Sequence, residues 1–542
     1  MKRISCIFFG IITLFFLKGI FAVPANAHDN KTDNRTDETL LIDNNNQVSI
    51  PLKSALLLAL KNNLSIKFEG LKKDIDETEI MREKGKYDTL FSGQWSKNRS
   101  VTQVGSALGS SSSPTVMQER YTLDTRLQKK FTPGTQAELK LTHEEFMTDV
   151  LFQGLKPQYK GELIASITQP LLKDFGISIG ESMIRIASLN FEMSQQEFKK
   201  KVMDILYQVE AAYWDLYFAI QDRASKEKSL QRAENLRREF KIRIDAGTLA
   251  PIEIYQAEAE VALRTQEVIV ARAAVKEAED KLKTALNLYD NQRYWDITLI
   301  PTDKPAIEQR APDMANCIQT AFEKRPDFAE AKLNIKAADV QVKYSKNQTL
   351  PRIDLVGSLG TSGIAGRPAS TAGAFGLLYQ GTKSPWKGHW DKVYDYMDNG
   401  DFYSYLIGIK IEFPLENRTA RSQYAKAKLQ SAQAVTGLKN MENQIINEVR
   451  DAVRNVQTSH QLIESATASL RLAQEKLKAE EKKYNVGMST AHDVLEFQED
   501  LAKAESTLAF AETSYNKALA NLFRVQGTLL EEKGLMLDAG SN

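Results

Sequence analysis

Cysteine is nearly absent from this chain of 542 residues: only Cys6 and Cys317 occur. Cys6 lies in an N-terminal leader, so the remaining protein has one thiol and can form neither an internal disulfide nor a cysteine-based metal site. An excess of charge is missing as well, with 71 basic against 70 acidic residues. Without a net basic face the chain is not expected to bind nucleic acid. Past residue 27 there is no run of about 18 apolar residues, so no hydrophobic helix is expected to cross a bilayer. A membrane span would have to be built from the strands of a closed barrel.

Enzyme signatures are missing too. The histidines, His28, His143, His389, His460 and His492, are scattered, with no H-E-x-x-H or other metal spacing. No G-x-S-x-G elbow occurs, and the glycine run GSLGTSGIAG at 357–366 lacks the lysine and Ser/Thr of a P-loop. It reads as a loop at a strand end. No catalysis, cofactor or metal is expected.

What is present begins with Lys2 and Arg3 ahead of an apolar stretch, Ile4 to Val23, that ends in Ala25-Asn26-Ala27. This is a signal peptide over 1–27, cleaved before His28. Lys18 and the A-x-A ending argue against the alternative, an uncleaved anchor. Residues 28–49 are polar and read as a flexible lead-in.

The rest is written twice. IDAGTLAPIEIYQ, Ile244 to Gln256, and YNVGMSTAHDVLE, Tyr484 to Glu496, each cross a single glycine between two helical patterns, with Glu253 six places after Gly247 and Asp493 six after Gly487. Ala321 to Ser358 parallels Ala59 to Gly93, and TQPLLKDFG at Thr168 corresponds to EFPLENR at Glu412. The expected plan is a first repeat over 50–288 with strands at about 88–172, a linker over 289–312, a second repeat over 313–530 with strands at about 352–415, and a tail over 531–542. Each repeat runs helix, strands, long helix, turn, helix. ERYTLDTRLQKKF and TQAELKLTHEEF, joined by Thr132-Pro133-Gly134, add a hairpin to the first repeat only. The stretch from Thr361 to Asp401 reads as a long loop. The strands are polar on one side, which suits a barrel with a wet lumen.

From Glu181 to Ala246 there is neither proline nor glycine, and Thr419 to Val486 is broken only by Gly437. Each stretch predicts a helix about 100 Å long. The flanking helical patterns, 53–86 with 251–288 and 313–348 with 490–527, sum to similar lengths and would stack end to end alongside. Val261, Val268, Val275 and Leu282 recur every seventh residue beside Ala271, Ala278 and Ala285. Leu501, Leu508, Tyr515 and Leu522 recur beside Ala504, Ala511, Ala518 and Val525. Such seams fit a coiled coil with a small-residue row, or a soluble bundle.

The signal peptide, the duplicated plan, the QPLL and FPLENR strand ends and the two G-x5-[DE] turns together resemble the TolC family of outer-membrane efflux proteins. The resemblance implies a membrane α+β protein: a homotrimeric outer-membrane β-barrel continued through the periplasm by a long α-helical coiled-coil barrel. It also implies a passive exit duct for efflux or type I secretion, working with a periplasmic adaptor and an inner-membrane transporter and contacting outer-membrane lipid. The other reading kept open is a periplasmic coiled-coil adaptor or scaffold without a channel. The extra hairpin decides whether a trimer would carry 12 strands or 18.

The resemblance also assigns residues. Gly247 and Gly487 mark the periplasmic tips, and Tyr484 and Ser489 belong to the gate, with Ser489 standing where an arginine latch is found in the family's best-known member. Asp493, Glu496 and Glu253 match an acidic pore constriction. A ring of the first two would favour cations and raise some carboxylate pKa values. Thr490-x-x-Asp493 is equally the spacing of a capping box, whereas Glu253, with Ala250 at the capping position, has no box partner. Leu249, Ala250, Val486 and Met488 are candidates for adaptor contact, or for packing within the turn. Phe91, Trp95, Tyr121, Phe131, Tyr159, Tyr403 and Tyr405 fit an interfacial girdle or the core of a soluble β-domain.

Overall fold

The computed structural model describes residues 46–103, 115–150, 153–248, 250–307, 312–369 and 385–536. The signal peptide, most of the lead-in, Leu249 and the end of the tail lie outside the described residues. In chain order the elements are β1 (Gln47–Ile50), α1 (Leu52–Asn62), α2 (Leu64–Gly85), β2 (Leu90–Gln103), β3 (Thr115–Lys130), β4 (Gln136–Thr148), β5 (Leu155–Pro170), α3 (Ile177–Gly180), α4 (Ser182–Asp245), α5 (Glu253–Ala285), β6 (Thr298–Pro301), α6 (Met314–Lys324), α7 (Pro326–Gln348), β7 (Arg352–Pro368), α8 (Trp390–Asn399), β8 (Tyr403–Glu412), α9 (Arg418–Asn485), α10 (Ala491–Gln526) and α11 (Leu529–Glu532). Two compact units form, one from 79–187 and 339–429, the other from 38–78, 188–338 and 430–542.

The first unit is a six-stranded antiparallel sheet in the order β2-β3-β4-β5-β7-β8. The extra hairpin β3–β4 is therefore part of the sheet, turned at Gly134 with φ 96°. Because opposed residues share a face, the register sorts the side chains. One face carries Phe91, Trp95, Leu123, Leu127, Ile167, Leu359, Tyr405, Ile407 and Ile409, all exposed. The other carries polar ladders: Arg120 to Glu144 at 3.2 Å, Lys140 to Asp124 at 3.5 Å, Thr142 to Asp124 at 2.6 Å and Gln128 to Glu138 at 2.7 Å.

Two loop readings are corrected: the glycine run at 357–366 lies within β7, and the stretch from Thr361 to Asp401 holds the end of β7 and the amphipathic helix α8. That helix lies on the apolar face, with Val393 fully buried against Tyr159 and Ala365. Two glycines admit it. A Cβ at Gly363 would come within 2.2 Å of the Val393 carbonyl oxygen, and one at Gly161 within 2.7 Å of the Val393 side chain.

The second unit is built from helices. Its main core gathers Leu56, Leu206, Val209, Tyr213, Leu216, Leu282, Leu286 and Leu299, all buried. The seam positions Val268, Val275, Leu282, Ala271 and Ala278 are buried, as are Leu501, Tyr515, Leu522, Ala504, Ala511 and Val525. Full burial of each large apolar side chain contributes about 1.5–3 kcal/mol. No helix among the described residues is long and apolar enough to cross a membrane.

Two sequence expectations change here. The patterns at 53–86 and 313–348 each break into two helices. At Arg325 the cause is Pro326, which forces its predecessor out of the helical region to ψ 125°. At Asn63 the side chain accepts from Ser65 N at 2.9 Å and starts a new helix. These breaks are where the neighbouring helices end: Asn63 Nδ2 donates to Ala285 O at 2.8 Å, and Arg325 donates to Val525 O at 3.2 Å. End-to-end stacking is thus observed, with a joint at each contact.

The lead-in and the linker are also more structured than expected. Gln47–Ile50, whose first three residues were assigned to the lead-in, pairs in parallel with Thr298–Pro301 of the linker, in register Val48 to Leu299. Val48, Ile50 and Leu299 are buried. The Tyr213 hydroxyl fastens this sheet, accepting from Thr302 N and Asp303 N at 3.1 Å each. The four-residue alternation was hidden by its polar surroundings.

Candidate functional site

Each helix turn closes by the same hydrogen bonds. Gly247 N donates to Ile244 O at 2.9 Å and Thr248 N to Arg243 O at 2.9 Å. Likewise Gly487 N donates to Tyr484 O at 3.1 Å and Met488 N to Lys483 O at 2.9 Å. This is a Schellman closure, and it requires the left-handed backbone seen at both glycines, with φ 74° and 76°. A Cβ at either glycine would meet nothing within 4 Å, so the dihedral angle alone selects glycine.

Beyond the glycines the turns differ. In the second, the Thr490 side chain accepts from Asp493 N at 3.3 Å while Asp493 accepts from Thr490 N at 3.1 Å, a complete capping box. Ser489 donates to Glu480 at 2.6 Å across the turn, and Lys483 pairs with the same carboxylate at 2.9 Å. The Thr490 hydroxyl and N–H, helped by Ser489, hold the Asp493 carboxyl below its ordinary value. Ser489 and then Lys483 lower Glu480 likewise. In the first turn α5 begins at Glu253, its cap is Ile252 rather than Ala250, and no side chain caps it. Alanine has no acceptor to offer, so Glu253 N reaches only the Ala250 carbonyl, at 3.1 Å.

The residues expected at the gate fall in different environments. Glu496 is exposed, Asp493 and Glu253 are half-buried, and Val486 and Met488 are exposed at 69% and 78%. Tyr484 is instead buried, its ring 6.3 Å from Phe240 and 4.6 Å from the Arg243 guanidinium. Burial pushes its phenol pKa up against the opposing pull of Arg243, and its hydroxyl has no partner among the described residues. Ile252 and Tyr255, exposed at 72% and 70%, join the apolar surface of the first turn. Their place in PIEIY, just past the glycine, was the available signal.

Polar contacts set the two helix pairs against each other. Asp204–Arg524 at 2.9 Å, Asp215–Lys517 at 2.6 Å and Ser225–Glu505 at 2.7 Å run α4 antiparallel to α10. Gln256–His492 at 3.3 Å and Arg264–Glu499 at 3.1 Å run α5 parallel to α10. Arg264 is buried among Glu260, Glu267 and Glu499. Burial opposes its charge, but the three carboxylates keep its pKa above the ordinary value.

Residues 317–528 match the family model described as outer membrane efflux protein. The outer membrane protein TolC of Escherichia coli K12 is 24% identical over 370 residues, 64% of this chain and 69% of that protein. The outer membrane efflux protein BepC of Brucella suis is 23% identical over 341 residues, 62% of this chain and 66% of that one. Among solved structures, a membrane protein from Pseudomonas aeruginosa superposes with a TM-score of 0.63 at 17% identity, covering 88% of this chain and 93% of its own. The open-state MtrE outer membrane channel of Neisseria gonorrhoeae gives 0.59 at 17% identity, with 88% and 89% covered.

Proposed function

We propose, for a chain that is a TolC-family outer-membrane efflux protein of the outer membrane and periplasm, that it is the exit duct of a tripartite efflux or type I secretion system. It conducts passively, as a homotrimer, from a periplasmic adaptor and inner-membrane transporter to the exterior. The observation that carries this reading is the two-faced sheet. An exposed apolar face opposite ion-paired polar ladders suits a wall with lipid on one side and water on the other. Three copies of six strands would close an 18-stranded wall. An adaptor or coiled-coil scaffold has no use for such a sheet.

At the tips, three copies of Asp493 and Glu496 would form an acidic waist, with Glu253 beside it. The cap at Asp493 is compatible with a charge at the waist, because the hydrogen bonds that cap α10 also favour the charged carboxylate. Exposed Glu496 would then supply the charge facing the passage. Ser489 replaces a charged latch by a neutral hydroxyl bridge to Glu480, which supports a gate held within the second turn. Val486 and Met488, with Ile252 and Tyr255, would offer the adaptor its apolar contact.

Single-channel recording in planar bilayers tests this. A small cation-selective conductance that rises several-fold in Asp493→Ala/Glu496→Ala is expected. An unchanged conductance would reduce the carboxylates to caps, and folded protein giving no channel would overturn the duct.

A further inference from the structure

Helix α8 lies in the connection between the end of β7 and the start of β8, at the end of the sheet opposite the one where β2, β5, β7 and β8 meet the helices. On the duct reading, on which this inference rests, that end is the outer rim, and α8 lies on the lipid side of the wall. Tyr159 stacks on His389 at 4.2 Å and on Trp390 at 5.2 Å. Gly366 N donates to Trp386 O at 3.0 Å and Gly388 N to Gly366 O at 3.1 Å, which ties the segment before α8 to the end of β7.

This pairing sets Arg367 beside Lys387. Together with His389 and Tyr159 they line a cavity of about 200 Å³. Both cations are exposed, and among the described residues neither pairs with a carboxylate. A second cavity of about 350 Å³ is lined by Trp390, Tyr394, Trp95, Leu123, His143 and Glu145. His143 donates to or accepts from Tyr394 at 2.6 Å, and its Nδ1 is buried without a partner among the described residues. Below the cations come the rings of Tyr159, His389 and Trp390, with the Glu145 carboxylate in the same strand row, and below these the apolar face, the order in which a bilayer leaflet presents charged headgroup, ester region and chains.

We propose that Arg367, Lys387 and His389 bind the phosphate of an outer-leaflet lipid, whose ester region lies against Trp390 and Tyr394, so that α8 fixes the depth of the wall in the membrane. Phosphate suits the site because paired cations recognise its oxygens, and the adjoining aromatic and apolar surface selects an amphiphile over a free ion.

Native mass spectrometry of the purified full-length protein with phosphatidylglycerol, diacylglycerol and inorganic phosphate provides the test. At about fivefold per cation, Arg367→Gln/Lys387→Gln is expected to lose roughly 25-fold in phosphatidylglycerol affinity, with diacylglycerol binding unmoved. The charge-conserving pair Arg367→Lys/Lys387→Arg should retain most of the affinity, and both variants should conduct like wild type. Equal phosphatidylglycerol affinity in wild type and the glutamine pair would overturn the proposal. So would inorganic phosphate competing as well as the lipid does. A protein that conducts but fails these criteria refutes the lipid site alone; one that neither conducts nor binds the lipid refutes the duct as well.

Discussion

The two helix turns share one closure and differ in the residues beyond it. After Gly487 the chain has a capping box, a serine bridge to Glu480 and a lysine on the same carboxylate. After Gly247 it has alanine, proline and exposed Ile252 and Tyr255, with no side-chain cap. Duplication kept what the backbone demands, a residue able to take positive φ, and let the side chains diverge. The second turn is therefore stiffened by several side-chain hydrogen bonds, while the first combines one, Thr248 Oγ1 to Arg243 O at 3.0 Å, with the packing of Ile254 and Ala257 in the core that holds Val494 and Leu495. In an assembly the first turn would be the softer and the more adhesive.

The contact that holds the two helix pairs together is the strongest place to break this comparison. Arg264→Ala leaves Glu260, Glu267 and Glu499 without their cation and is expected to cost about 2–4 kcal/mol in chemical denaturation, because a buried partner is removed. Arg264→Lys should recover part of that. Next in size are Gly247→Ala and Gly487→Ala, each expected to cost about 1–2 kcal/mol, since an L side chain is strained at positive φ while the space itself is open. Equal losses in hydrogen exchange at the two turns would support the shared closure; a loss at one turn only would refute it.

The smallest effects separate the turns. Thr490→Ala should loosen the start of α10 by about 1 kcal/mol, whereas Ala250→Ser, two residues ahead of the Ile252 cap, should move the start of α5 by only about 0.3 kcal/mol. The Asp493 contribution has a definite pH dependence. Its folded pKa lies below the ordinary 3.8, so its stabilisation is present above that pH and is lost as pH falls through the folded value. Amide exchange at Thr490 and Asp493 as a function of pH checks the sign.

Much of this was legible in the chain. The long helices Ser182–Asp245 and Arg418–Asn485 follow from the absence of proline and near-absence of glycine, and α5 and α10 from their heptads, because helical periodicity is a local property. The glycine turns and the Thr490–Asp493 box were legible for the same reason. Joints at Asn63 and Arg325 were harder, although Pro326 announces one of them. Strand β1 was missed because four alternating residues carry little signal until Thr298–Pro301, some 250 residues away, pairs with them.

Sequence alone determined the duplicated plan, the helices, the glycine closures and the alternation within each strand, since each depends on residues close together in the chain. Tertiary structure decided which side chains share a face and which meet at a distance. Trp95, Leu123, His143, Gly161 and Gly363 form one row only through strand register, and that row seats α8. The burial of Tyr484 beside Arg243 and the meeting of Arg367 with Lys387 likewise depend on packing between separated segments, whose geometry no local pattern encodes.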